Sequence, residues 1–153
     1  MSEMILPEFD DRGDLPEGIY RASLKDVIAR FGHGSRQREF VTQRLTRIYE
    51  LAQRTGKLER FIIFGSYVTA KPEPNDVDIL LVMSDDFLYS ECDEETALLF
   101  DNQRAQRELG ASVFFIRTTT VLLETVDEFI AYWQTKRDKS LRGIIEVVTE
   151  DAK

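Results

Sequence analysis

Apolar residues recur at helical spacing over 35–55, where Val41, Leu45, Ile48 and Leu51 or Ala52 share one face and Gly56 stops the pattern. A shorter helix is predicted just before it. Ser23-Leu24-Lys25-Asp26 has the form of a capping box with Asp in place of the usual Glu, and Val27, Ile28 and Phe31 follow as an apolar face that ends at Gly32. Beyond Gly56 the helical period gives way to two apolar runs of strand length, Phe61-Ile62-Ile63-Phe64 and Ile79-Leu80-Leu81-Val82-Met83. Downstream, the pattern predicts a helix over 93–109 with Ala97, Leu98, Ala105 and Leu109 inward and Gly110 as its cap, then a strand over 112–117. A helix over 121–136 follows, with Leu122, Val126, Phe129, Ile130 and Trp133 on one face, and a short strand over 143–148 closes the pattern. At that spacing Trp133 reads as core rather than as a base-stacking platform. The first 18 residues carry Pro7, Gly13, Pro16 and Gly18 among scattered acids. They read as an extended arm, 1–18, ahead of one domain, 19–153.

The junction between the two apolar runs carries the candidate chemistry. Gly65-Ser66 ends the first run, and Asp76-Val77-Asp78 opens the second. Glycine tolerates backbone angles and close approaches that a Cβ would block, so a Gly-Ser turn suits contact with a phosphate. Residues i and i+2 of a strand share a face, so Asp76 and Asp78 project together while Val77 and Ile79 point into the core. Paired carboxylates beside a triphosphate suit Mg²⁺, with Mn²⁺ as the alternative, because such ions take hard oxygen ligands and complete their shell with substrate phosphates. The competing reading is a plain β-hairpin, with Pro72, Pro74 and Asn75 as turn formers and Asp76 as its solvated start. That reading explains neither Gly65-Ser66 nor the same-face acidic pair.

Around this junction the sequence resembles the nucleotidyltransferase superfamily related to DNA polymerase beta, whose signature is a Gly-Ser turn followed by an Asp-x-Asp strand. The wider pattern is similar to an uncharacterised prokaryotic group near the minimal nucleotidyltransferases. It comprises Leu15-Pro16-Glu17-Gly18-Ile19-Tyr20, Gly65-Ser66-Tyr67-Val68-Thr69 and Arg142-Gly143-Ile144-Ile145. The resemblance implies an α/β (α+β) single domain, a mixed sheet flanked by helices. Gly65 and Ser66 would bind a nucleoside triphosphate, and Asp76 and Asp78 would be the catalytic, metal-holding pair. It also implies a third carboxylate on the next strand, and here that strand reads Ala111-Ser112-Val113-Phe114-Phe115-Ile116, with no acid. Glu108, Glu124 and Glu146 are the remaining acids weighed, and each reads as a surface residue. Two functions follow. One is nucleotidyl transfer to a hydroxyl of a protein, an RNA or a small molecule. The other is a catalytically silent binding protein, such as the antitoxin of a toxin-antitoxin pair whose partner is encoded nearby.

Composition narrows the partners. A net charge of −8 repels nucleic acid and anionic membrane, which disfavours RNA against free nucleotide. One cysteine, Cys92, excludes an internal disulfide, and its acidic neighbours make it a poor nucleophile. The lone histidine, His33, excludes zinc sites built on several Cys or His ligands and reads as a loop residue. With no signal segment or long apolar span, a cytoplasmic protein without membrane contact is expected. Arg36, Arg47 and Arg54 lie near one another at helical spacing, with Arg44 on the same helix. They read as a solvated face, the alternative being a phosphate-contacting stripe.

Overall fold

The computed structural model describes residues 6–118 and 142–149, so the expected helix over 121–136, with Trp133 and Glu124, lies outside the described residues. The architecture is a mixed α+β single domain with a five-stranded sheet. Strand β1 (Ile19–Ser23) leads into α1 (Leu24–Phe31) and α2 (Arg36–Arg54). Strands β2 (Leu58–Phe64) and β3 (Val77–Met83) follow, then α3 (Glu94–Ala97), α4 (Asn102–Arg104), β4 (Ala111–Arg117) and β5 (Ile144–Val148). The sheet order is β1-β5-β2-β3-β4. β2 runs antiparallel to both β3 and β5, whereas β1 is parallel to β5 and β4 to β3.

Both early helices begin where expected, at the Ser23 cap and at about residue 35. The Ser23 and Ser35 side chains accept from the Asp26 and Arg38 backbone N–H groups, satisfying donors that a helix start leaves orphaned. Val41, Leu45, Ile48, Leu51 and Ala52 of α2 are buried with Val27 and Phe31 of α1 against one sheet face, where Phe61, Ile63, Ile79, Leu81 and Val147 project. Ile28, expected on the inward face of α1, is only half-buried. The other sheet face has its own buried cluster, Ile62, Leu80, Val82 and Ile144. Burial on both faces is why β3 reads as a nearly unbroken apolar run.

Two features depart from expectation. The helix over 93–109 is broken: α3 passes through a 3₁₀ turn to Asp101, whose backbone is extended (φ −123°, ψ 103°) and whose carboxylate caps the Arg104 N–H. A π-turn over Ala105–Leu109 then ends at Gly110 in the left-handed conformation, which suits glycine. Because the segment bends, Thr96 and Leu99 are buried, while the expected Ala97 and Leu98 are only half-buried. The second departure is β1, which periodicity did not mark. Among residues 6–18 there is no strand or helix, yet Asp14 and Leu15 are buried. The Gly143 N–H donates to Leu15 O at 2.8 Å and starts the β1–β5 pairing. Among the described residues no helix is long and apolar enough to cross a membrane.

Candidate functional site

The junction between β2 and β3 is built from the backbone outward. Phe64 pairs with Asp78 across the two strands, so the turn after β2 stands directly beside the Asp78 carboxylate. Gly65 adopts φ 81°, and a Cβ there would lie 1.9 Å from Asp78 Oδ2. Glycine is therefore required twice, once by its backbone angle and once by the carboxylate pressed against it. A 3₁₀ turn over Ser66–Val68 follows, closed by Thr69, whose hydroxyl donates to Ser66 O at 2.6 Å.

A buried arginine holds this turn, and sequence reasoning missed it. Arg38 is 6% exposed. Its Nη1 donates to Phe31 O at 3.1 Å and Tyr67 O at 2.9 Å, and its Nη2 donates to Thr69 O and Lys71 O, both at 2.6 Å. A planar guanidinium with donors in a fixed fork can satisfy four carbonyls at once. The ring of Tyr67, 5.5 Å from the guanidinium carbon, packs beside it, and the Tyr67 hydroxyl meets Thr42 Oγ1 at 2.6 Å. Ser35 Oγ donates to Pro72 O and Gln37 Nε2 to Pro74 O, so the start of α2 holds the rest of the connection. The only sequence signal for Arg38 was its place beside the buried Val41 and Thr42 positions, one helical turn earlier on the same face.

Asp76 and Asp78 come together as expected, Asp76 immediately before β3 and Asp78 within it, both half-buried. Val77 and Ile79 are fully buried on the opposite face. Ser112 pairs with Asp78 in the parallel β3–β4 ladder, and its hydroxyl donates to Asp76 Oδ2 at 3.3 Å. Burial, and then the Asp76 charge, push the Asp78 carboxyl up to about 6, against the opposing Ser112 hydrogen bond and the Arg142 charge. Arg142 also stands 3.5 Å from Asp14. Thus the three segments quoted as a pattern, 15–20, 65–69 and 142–145, converge: the first and third pair as β1 and β5, and the second stands beside the carboxylate pair that Arg142 influences.

The other acids fall elsewhere. Glu146, expected at the surface, is 7% exposed and takes Arg60 in a fork, Nη2 to Oε1 at 2.7 Å and Nε to Oε2 at 3.1 Å, with Arg21 at 3.5 Å. It lies on β5 opposite Ile62, away from Asp78, so its burial reflects an ion pair on the sheet face. Glu108 is exposed and ion-paired with Arg104. Among the described residues no group of three or more His, Cys, Asp or Glu side chains is placed to hold a metal ion. Two adjacent carboxylates, one of them raised in pKa by burial and then by the charge of the other, are a donor set that suits a single hard cation. They do not by themselves fit a two-ion centre. Arg47 and Arg54 are both held by Glu95, with Arg54 also 3.5 Å from Asp93, so two members of the arginine stripe are occupied by ion pairs to α3 and its cap. His33 is an exposed loop residue bonded to Ala29 O, and Cys92 is a half-buried free thiol.

No curated protein and no solved structure matches the chain. A family profile does, over residues 7–148, a span that takes in all five strands, the Gly-Ser turn and the carboxylate pair. The chain belongs to that family, a family of unknown function designated DUF6932.

Proposed function

We propose that the protein binds a nucleoside triphosphate with Mg²⁺ and belongs functionally with the nucleotidyltransferases, transferring a nucleotidyl group to a hydroxyl of a protein, an RNA or a small molecule. The observation that carries this reading is the Asp78 carboxylate set against Gly65, with Asp76 beside it. Magnesium, when bound, supplies charge neutralisation for the triphosphate. Asp76 and Asp78 would hold the cation, Gly65 leaves room for the Asp78 carboxylate, and Ser66, half-buried at the turn, would supply a hydroxyl to the phosphates. Arg38 acts at one remove, fixing the 66–71 backbone so that turn and carboxylates keep their spacing. In the transfer, the acceptor oxygen bonds to the α-phosphorus, the bond to the bridging oxygen breaks, pyrophosphate leaves with the electron pair, and the acceptor's proton passes to solvent.

One observation favours a second reading. The position opposite Asp78 on the neighbouring strand is Ser112, not an acid. A protein that binds nucleotide or a partner without turnover, as an antitoxin-like protein would, needs the pair and not a third carboxylate. Thermal scans with Mg²⁺ and each of the four nucleoside triphosphates test the binding shared by both readings. Wild type is expected to gain several degrees more at saturating nucleotide with Mg²⁺ than with EDTA, and Asp76→Asn/Asp78→Asn to show no such Mg²⁺-dependent gain, each against its own ligand-free Tm. Equal Mg²⁺-dependent shifts in both proteins would remove the site. Transfer of label from α-³²P nucleotide to an acceptor then separates enzyme from binding protein.

A further inference from the structure

We propose that the cleft between α2 and the turn entering β4 binds a small phosphate ester carrying a planar ring, of mononucleotide size, with its far end at Asp76. Its role as the acceptor rests on the nucleotide reading above; its binding in the cleft does not.

The cleft has a volume of about 630 Å³, and Asp76 forms part of its wall. That size is within the range of roughly 300–1,000 Å³ typical of small-molecule sites. Phe40, on α2, is 54% exposed, the most exposed of the large apolar side chains among the described residues, and lines this cleft. The Arg44 guanidinium carbon lies 4.4 Å from the Phe40 ring centroid. Arg44 also packs on Gly110: a Cβ at Gly110, whose φ is +67°, would come within 2.6 Å of that carbon. The guanidinium is thus in contact with both a ring and a glycine residue, which reduces the conformational entropy it would lose on taking a ligand.

Charge distinguishes Arg44 from its neighbours. Arg47 is committed to Glu95, and Arg107 stands 3.8 Å from Glu108. Arg44 makes no ion pair among the described residues, which leaves a positioned cation free to take an anion. Gln43, Asn75 and Gln106 add amide donors and acceptors, the kind of groups that read the edge of a heterocycle. Gln106 also donates to Ser112 Oγ at 3.1 Å, and Ser112 donates to Asp76, so the cleft wall is joined to the carboxylate pair by two hydrogen bonds. A single guanidinium without an ion pair in this cleft, in a chain of net charge −8, suits a single phosphate ester and not a long polyanion.

The test is calorimetric titration of the full chain, in EDTA, with the four ribonucleoside 5′-monophosphates and with inorganic phosphate. At least one monophosphate is expected to bind, more tightly than inorganic phosphate. Arg44→Gln should weaken it by about tenfold or more, and Phe40→Ala by several-fold. Asp78→Asn should retain it. Phe40 is exposed and Arg44 only half-buried, and an unchanged Tm in each variant shows that the fold is intact. No binding of any monophosphate to wild type, binding undiminished in Arg44→Gln, or inorganic phosphate matching the best monophosphate would overturn the proposal. Monophosphate binding in a protein that Mg²⁺ and triphosphate fail to stabilise would uphold the cleft and remove the transfer reading instead.

Discussion

Asp78 is ionised at neutral pH at a cost to the fold. Its folded pKa, about 6, lies above the ordinary value of 3.8, so its favourable contribution is complete below about pH 4 and is lost as the pH rises through about 6. A shift of this size corresponds to about 3 kcal/mol, which partial exposure of the carboxylate reduces to roughly 1–2 kcal/mol. Asp78→Asn is accordingly expected to raise the free energy of unfolding by about that much at about pH 7.5 and to change nothing near pH 4. Urea titrations at the two pH values check it; a variant less stable than wild type at the higher pH would show that Asp78 is held as a favourable ion. Acceptance of this cost in the free protein is characteristic of groups placed for a ligand, and the proposed cation would offset both the burial of Asp78 and the repulsion from Asp76.

At the level of elements, α2 both covers the sheet and organises the site through Arg38. Arg38→Met would leave carbonyls of Phe31, Tyr67, Thr69 and Lys71 without their donor, three of them in the connection that carries the Gly-Ser turn. The expected loss is about 3–5 kcal/mol by chemical denaturation. Arg38→Lys should recover little of it, because one ammonium cannot span four carbonyls. The β3–β4 ladder yields another prediction. Ser112 faces the carboxylate pair, so Ser112→Asp places a third acid at the site and should tighten Mn²⁺ binding by about tenfold or more in calorimetry. It should also lower the stability of the metal-free protein, since a third negative charge joins the pair. Unchanged Mn²⁺ affinity in a folded variant would show that the pair does not hold the ion.

Across the whole molecule, the segments farthest apart in sequence are neighbours in the sheet. β1 pairs with β5 in parallel, and Gly143 is closed in by Pro16 O, Leu15 and Tyr20, the nearest atom 2.5 Å from where a Cβ would stand. β5 is thereby an interior strand with Ile144, Ile145 and Val147 buried. A chain starting at residue 24 would lose β1 and leave β5 with an open edge. Such a chain is expected to elute as aggregate in size-exclusion chromatography and to lose the cooperative thermal transition of the full chain. A monomeric, cooperatively folding truncation would show that β1 is dispensable.

What the sequence determined by itself was local. The helix capped at Ser23, the helix starting near residue 35 with its apolar face, the strands on either side of Gly65-Ser66 and the shared face of Asp76 and Asp78 all follow from periods and caps that act within a few residues. Tertiary structure decided whatever depends on a partner far along the chain. Five residues of β1 carry too little pattern to declare a strand until β5 pairs with them, and Glu146 looks like any surface acid until Arg60 closes on it. Arg38 looks like one cation among several until four carbonyls, one from the end of α1 and three from the β2–β3 connection, converge on it. Gly65, legible as a turn glycine, is required also because the Asp78 carboxylate presses on it. A residue's own chemistry is written in its type and spacing, whereas its burial, its pKa and its partners are set by the chain around it.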